Sequence, residues 1–370
     1  MSLFVPRLGN GKIQSVVEPA SNINQKFYEL PTPTGSAPYH LSLDEIIPVD
    51  GIKEGITFHM VGDTGGTKAL DPTHVVADAL EFDCAKHNTS FMFHLGDVVY
   101  SFGQAEDYNP EFYDPYQHYP GPIFAIPGNK DGDVKPGSNV PSLAAFMTNF
   151  CAKEQRVTPD AGDINRWPMA QPNCFWTLDA PFVTIIGLYS NVPDGGVIKQ
   201  NQIDWFVSEL KNAPKDKALI VAVHHATFSA DSERSGSDIM LKVLDNAFKE
   251  SKRLPDMICS GHVHNYQRFS RQLDNREIPY LVIGTGGKTK LHKMQKHDNE
   301  IIQVPSKLPD RDDVVLENYC DDRFGFMRFN VTANKISGKF FCVAAPHKLD
   351  VIEHEKFDDF TLDLKKHKLV

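Results

Sequence analysis

Five short apolar runs in this chain each end in residues able to bind metal ions. Val61 is followed by Gly62-Asp63-Thr64-Gly65-Gly66, Leu95 by Gly96-Asp97-Val98-Val99-Tyr100, and Ile126-Pro127 by Gly128-Asn129-Lys130-Asp131. Val223 precedes His224-His225, and Cys259-Ser260 precedes Gly261-His262-Val263-His264. Taken singly, Asp63, Asp97 and Asn129 would read as turn residues beside glycine. Taken as a set, carboxylates, an amide oxygen, imidazoles and a phenolate suit iron, zinc or manganese rather than a structural thiolate site. Two carboxylates and three histidines exceed the needs of one ion, which points to a two-metal site with a bridging carboxylate. Such a pair polarises phosphoryl oxygens, lowers the pKa of bound water and clamps an in-line displacement.

To act together these residues must sit on one rim. In α/β sheets the carboxyl ends of the strands face the crevice where ligands bind. The runs Ile56–Val61, Phe91–Leu95, Ile123–Ile126, Phe182–Leu188, Leu219–Val223, Met257–Cys259 and Tyr280–Ile283 are predicted as buried strands. Helices are predicted between them. Asp71 is a candidate N-cap before Pro72 at the first helical position. Ile203, Phe206, Val207 and Leu210 share one helical face, as do Ile239, Met240, Val243, Leu244, Ala247 and Phe248. The alternation predicts an α/β sandwich, and Phe326–Val331, Ile336–Val343 and Phe360–Leu364 are candidates to complete a second sheet. Residues 1–50, rich in Pro, Asn and Ser, read as an extended lead-in to one domain over 51–345. Residues 346–370 read as a final strand and tail.

A formal net charge of -10 argues against a general nucleic-acid or membrane-surface binder. No apolar run approaches the ~20 residues of a membrane span, and Met1–Ala20 lacks the charged-then-apolar order of a signal peptide. A cytosolic location is the default expectation, with secretion after a trimmed leader as the alternative. The cysteines Cys84, Cys151, Cys174, Cys259, Cys320 and Cys342 show no Cys-x-x-Cys spacing and read as buried reduced thiols ahead of a disulfide framework. Lys365-Lys366-His367-Lys368 reads as a solvated end.

The motif order resembles that of the calcineurin-type metallophosphoesterases, and within them the purple acid phosphatases. The blocks are Asp63/Gly65, Asp97/Tyr100, Asn129, Val221/His224 and His262/His264. The last continues as Asn265-Tyr266-Gln267-Arg268, and Tyr280-Leu281-Val282-Ile283-Gly284-Thr285-Gly286-Gly287 resembles the strand and turn that follow it. The resemblance implies a four-layer sandwich of two mixed β-sheets flanked by helices. It implies that Asp63, Tyr100 and His264 bind Fe(III), that Asn129, His224 and His262 bind a second ion (iron, zinc or manganese), and that Asp97 bridges. Tyr100 would replace the histidine that most relatives carry where this chain has Gly65.

The implied activity is hydrolysis of small phosphate esters, monoesters ahead of diesters, by a metal-bound hydroxide. The alternatives are a phosphodiesterase on the same site and a non-catalytic metal-binding scaffold. Two departures bear on this. Lys130 stands where the family usually has a substrate-contacting histidine, and Ser232-Glu233-Arg234-Ser235 holds no second one. Lys130 and His262 are therefore candidate catalytic residues, with Lys130, Asn129, Arg234 and His225 as candidate substrate contacts. The oligomeric state is left open.

Overall fold

The protein is described from a computed structural model over residues 26–66, 72–154, 156–297, 300–309, 311–343 and 354–370. The first half of the expected lead-in, the Asp71 cap and the start of the expected C-terminal segment lie outside these residues. Among them, no helix is long and apolar enough to cross a membrane.

Two mixed sheets carry the fold. In chain order the strands are β1 (His40–Ser42), β2 (Ile56–Val61), β3 (Phe91–His94), β4 (Ile123–Ala125), β5 (Trp176–Ala180), β6 (Val183–Leu188), β7 (Ala218–Val223), β8 (Met257–Ser260), β9 (Tyr266–Leu273) and β10 (Arg276–Ile283). They continue with β11 (Lys296–His297), β12 (Glu300–Ile301), β13 (Ser306–Leu308), β14 (Arg311–Cys320), β15 (Gly325–Val331), β16 (Lys335–Val343), β17 (His354–Asp363) and β18 (Lys368–Leu369). The first sheet runs β1-β5-β6-β7-β8-β10-β9-β14-β13 and the second β18-β17-β16-β15-β2-β3-β4, while β11 and β12 form a small ribbon. The helices are α1 (Pro72–His87), the short α2 (Asn129–Gly132), α3 (Ala144–Phe150), α4 (Gln200–Asn212) and α5 (Asp238–Ser251).

Strand β7 shows why the layers stack. Its Ile220 and Ala222 point into the core between the sheets, with Phe58, Phe93, Trp176 and Leu281. The alternate residues Leu219, Val221 and Val223 pack with Phe206, Leu210, Leu244 and Phe248 of α4 and α5. A period of two thus gives one strand two buried faces. Helix α1 packs on β15 and β16 of the second sheet. The result is the helix-flanked pair of mixed sheets that the motif order implies.

Two features differ from the expected layout. The three late runs do complete a second sheet, and its other half is the early strands, because β15, with β16 and β17 beyond it, joins β2, which in turn pairs β3 and β4. Strands β9 and β14 were also not expected, since charged residues break their pattern. Those charges are paired at long range: Arg271 of β9 meets Asp313 of β14 at 2.9 Å and Asp245 of α5 at 2.6 Å.

Part of residues 1–50 is tied to the first sheet. β1 pairs with β5 in parallel, and His40 sits 3.0 Å from Asp179 and 2.6 Å from Glu209. Hydrogen bonds to Asp179 and Glu209 outweigh burial and push the His40 pKa up to about 10. A raised folded-state pKa makes this contribution complete below the unfolded value of ~6.5 and lost as pH rises through about 10. His40→Ala is therefore expected to lower the thermal midpoint by about 1–3 °C at pH 6. The deficit should vanish above pH 10, and equal deficits at both pH values would count against the ion pair.

Candidate metal centre

The two sheets deliver their polar ends to one rim. β2, β3 and β4 are parallel neighbours in the second sheet, and β7 and β8 are parallel neighbours in the first. Backbone bonds stitch the rim together: Asp63 N–H donates to the Gly96 carbonyl at 3.0 Å, Gly62 N–H to Ile283 at 2.9 Å, and Gly261 N–H to His224 at 3.1 Å. Asp63, Asp97 and His262 adopt φ values of 59°, 54° and 67°. Left-handed backbone costs a non-glycine residue about 1–2 kcal/mol and concentrates at functional sites, where the surrounding structure enforces it. At Gly128 a Cβ would lie 2.1 Å from Asp97 Oδ1, so glycine alone lets the end of β4 approach Asp97.

Two groups of donor atoms flank Asp97. In one, Asp63 Oδ1 lies 3.2 Å from the Tyr100 hydroxyl and 3.5 Å from His264 Nε2, and those two are 3.4 Å apart. In the other, Asn129 Oδ1 lies 3.0 Å from His262 Nδ1 and 3.2 Å from His224 Nε2. Asp97 Oδ1 is 3.3 Å from His224 Nε2. One ligand atom from each of Asp63, Asp97 and His224 lies within 4.8 Å of the other two. All seven sequence-derived candidate ligands are thus brought together, each buried or nearly so.

The donor chemistry suits a cation. His224 Nδ1 lies 2.8 Å from the Leu95 carbonyl, to which it donates. In a neutral ring Nε2 is then a lone pair, and it faces the oxygen acceptors of Asn129 and Asp97. Such an arrangement is repulsive unless a positive charge sits among the atoms. With protons alone, the ring must itself be charged: burial opposes this, but Asp97 and Asp63 push the His224 pKa up to about 9. Burial also opposes charge on Asp97, yet His224 and Lys130 hold its carboxyl well below the usual range. Burial, reinforced by Asp97 and Asp63, pushes the Tyr100 phenol well above its ordinary value. Ionising it calls for a nearby cation.

Three outer residues, Lys130, Arg234 and His225, border the donor atoms. Lys130 donates its backbone N–H to Asp97 Oδ1 at 2.8 Å, and its charge acts on the Asp97 carboxylate. Arg234 reaches into the site, its Nη1 2.9 Å from His262 Nε2. After burial, Arg234 is the strongest influence holding the His262 pKa well below its ordinary value. His225 turns Nδ1 to Ser190 Oγ at 2.7 Å, and its ring centre is 4.4 Å from that of His262.

Three supporting residues were not singled out from sequence. Glu111 accepts from the backbone N–H groups of Gly66 at 2.6 Å and Tyr100 at 2.8 Å. A Cβ at Gly65 would lie 2.6 Å from that Glu111 carboxylate and 2.5 Å from the Val98 carbonyl, so a histidine there has no room. Asp231 accepts from the backbone N–H groups of Glu233 and Arg234 and from Asn265 Nδ2, tying the Arg234 turn to the strand entered from His264. His292 packs its ring 4.6 Å from that of His264 and lies 3.4 Å from Asp231. Their only sequence signal is polarity in otherwise ordinary segments.

Residues 56–266 match the family model described as Calcineurin-like phosphoesterase. No curated protein matches the chain. Among solved structures, the fold is similar to GAP50, described as the anchor in the inner membrane complex of Plasmodium, at TM-score 0.55 and 16% identity over 83% of this chain and 89% of that one. It is also similar to PhoD, at TM-score 0.58 and 13% identity over 92% of this chain and 73% of that one. At these identities the likeness is one of fold.

Proposed function

The chain belongs to the calcineurin-like phosphoesterase family, and on that premise we propose that it hydrolyses small phosphate esters, monoesters ahead of diesters, at a two-metal centre of the purple acid phosphatase type. Asp63, Tyr100 and His264 would hold an iron ion. Asn129, His224 and His262 would hold a second ion, of iron, zinc or manganese, with Asp97 between them. The observation that carries this reading is the pair of three-atom donor groups on either side of Asp97. When bound, such a pair draws charge from phosphoryl oxygens and lowers the pKa of water.

The protein's own side chains complete the site. Arg234 offers a planar fork of donors that matches two phosphoryl oxygens, and its backbone is held by Asp231. Lys130, at the start of α2, offers a point charge on the side of Asn129 and Asp97. His262 Nε2 points toward Arg234 and so toward the phosphoryl group that Arg234 would bind. Two permanent cations thereby stand in for the histidines that relatives use, stabilising charge as it moves onto the transferring group.

Metal analysis combined with an aryl phosphate assay across pH tests the proposal. The expected outcome is about two ions per chain with turnover. Metal without turnover would favour the scaffold reading. Arg234→Ala is expected to lower kcat/KM by ~10²-fold, and Lys130→Ala by ~10–10²-fold, with Lys130→His recovering part of the loss. Wild-type turnover in Lys130→Ala would remove Lys130 from the reaction.

A further inference from the structure

All six cysteines are buried as free thiols, but two of them face each other across the fold. Cys320 ends β14 in the first sheet, and Cys342 lies in β16 of the second. Their sulfur atoms are 3.5 Å apart. A disulfide requires about 2.05 Å, so the atoms need approach by only about 1.5 Å, within the reach of small side-chain rotations.

The surroundings distinguish the two thiols. The Cys342 thiol and the backbone N–H groups of Asp322 and Arg323 favour the ionised form of Cys320 and draw its pKa below the ordinary value. Cys342 is pushed the other way, by Cys320 first and then by burial. The bend that carries those N–H groups reaches the surface, and Asp322 is exposed. Cys320, beside that bend, is placed as the attacking thiol, and Cys342, with its sulfur 3.5 Å away, is placed to resolve it.

We propose that Cys320 and Cys342 are a redox modification site that closes reversibly into a disulfide joining the two sheets. With a peroxide as oxidant, the Cys320 thiolate attacks one oxygen, the O–O bond breaks and the departing hydroxide takes a proton to become water. Cys320 is left as a sulfenic acid. Cys342 then attacks that sulfur, the S–S bond forms and a second water leaves, so two thiols have given two electrons to one peroxide. A thiol reductant reopens the bond by exchange.

The closed ring would span 320–342 and cross from one sheet to the other. Its effect falls mainly on the unfolded chain, whose freedom it restricts, so the oxidised protein should melt several degrees higher (on the order of 5 °C). The bend also supports the metal-centre rim: the Asp321 carboxylate accepts from Met294 N–H at 3.0 Å, and His292, two residues earlier, donates its N–H to the His264 carbonyl at 2.9 Å.

The test is to expose reduced protein to a mild excess of hydrogen peroxide, count thiols in denaturant and map the peptides by mass spectrometry. Titratable thiols should fall from six to four, with one Cys320–Cys342 link, and dithiothreitol should restore the original count. Cys320→Ser and Cys342→Ser should each keep all of their remaining thiols and show no rise in thermal midpoint. Retention of every wild-type thiol, linkage through another pair, or over-oxidation at either residue without a link would overturn the proposal. Should either variant fail to fold, the wild-type peptide map alone decides.

Discussion

Asp97→Asn is expected to lower turnover by at least ~10³-fold and to reduce bound metal below the wild-type level. Asp97 stands between the two donor groups, 3.3 Å from His224 Nε2 and receiving the Lys130 N–H at 2.8 Å. Asparagine keeps the shape and an acceptor oxygen but removes the negative charge that two adjacent cations would share. The loop itself should survive the change. Its turn is held by Asp131, whose carboxylate accepts from Val98, Val99 and Gly128 N–H groups, and Asp131 is left untouched. Metal analysis of the purified variant, with a thermal melt to confirm folding, checks the expectation. A folded Asp97→Asn protein with full metal content and wild-type turnover would sink the two-metal reading.

The largest stability effect is expected at Asp83, in α1. Its carboxylate is fully buried and bonds His59 at 2.9 Å, His354 at 3.1 Å and Arg328, so that α1 is fastened to β2, β15 and β17. Removing one partner of a buried ionic cluster leaves the others uncompensated. Asp83→Asn should cost about 3–5 kcal/mol, a fall in thermal midpoint on the order of 5 °C. Burial by itself would raise the Asp83 pKa, but bonds from His354, His59 and Arg328 outweigh it and hold the carboxyl well below the usual range. A depressed folded-state pKa means that the stabilisation is complete above the unfolded value of ~3.9 and drains away as pH falls below it. The gap between wild type and variant should accordingly narrow below pH ~4. A gap that stays constant from neutral to strongly acidic pH would assign the loss to packing instead.

Much of the candidate site could be read from sequence because it is written in local pattern. A buried strand followed by glycine and a polar residue is a short-range signal that β2, β3, β4 and β8 carry, while β7 runs straight into His224. The strand interiors were readable for the same reason, since the period of side-chain burial is set by a few adjacent residues. Arg234 shows where that kind of reading stops. Nothing near it in sequence distinguishes it from a solvated arginine, and its contact with His262 spans 28 residues and depends on the turn that Asp231 holds. Glu111, unlike Arg234, is not even a candidate from sequence, reaching back over 45 residues to the Gly66 amide.

From its residues alone the chain specified the chemical types of the candidate ligands, their order and their place at strand ends, because hydrophobic periodicity and turn chemistry act within a few residues. The folded molecule decided which strands share a sheet, that Gly65 is walled in by Val98 and Glu111, and that Arg234 faces His262. Those outcomes follow from pairings between distant segments, where packing and charge compensation across the whole core select among arrangements that local sequence leaves equally acceptable.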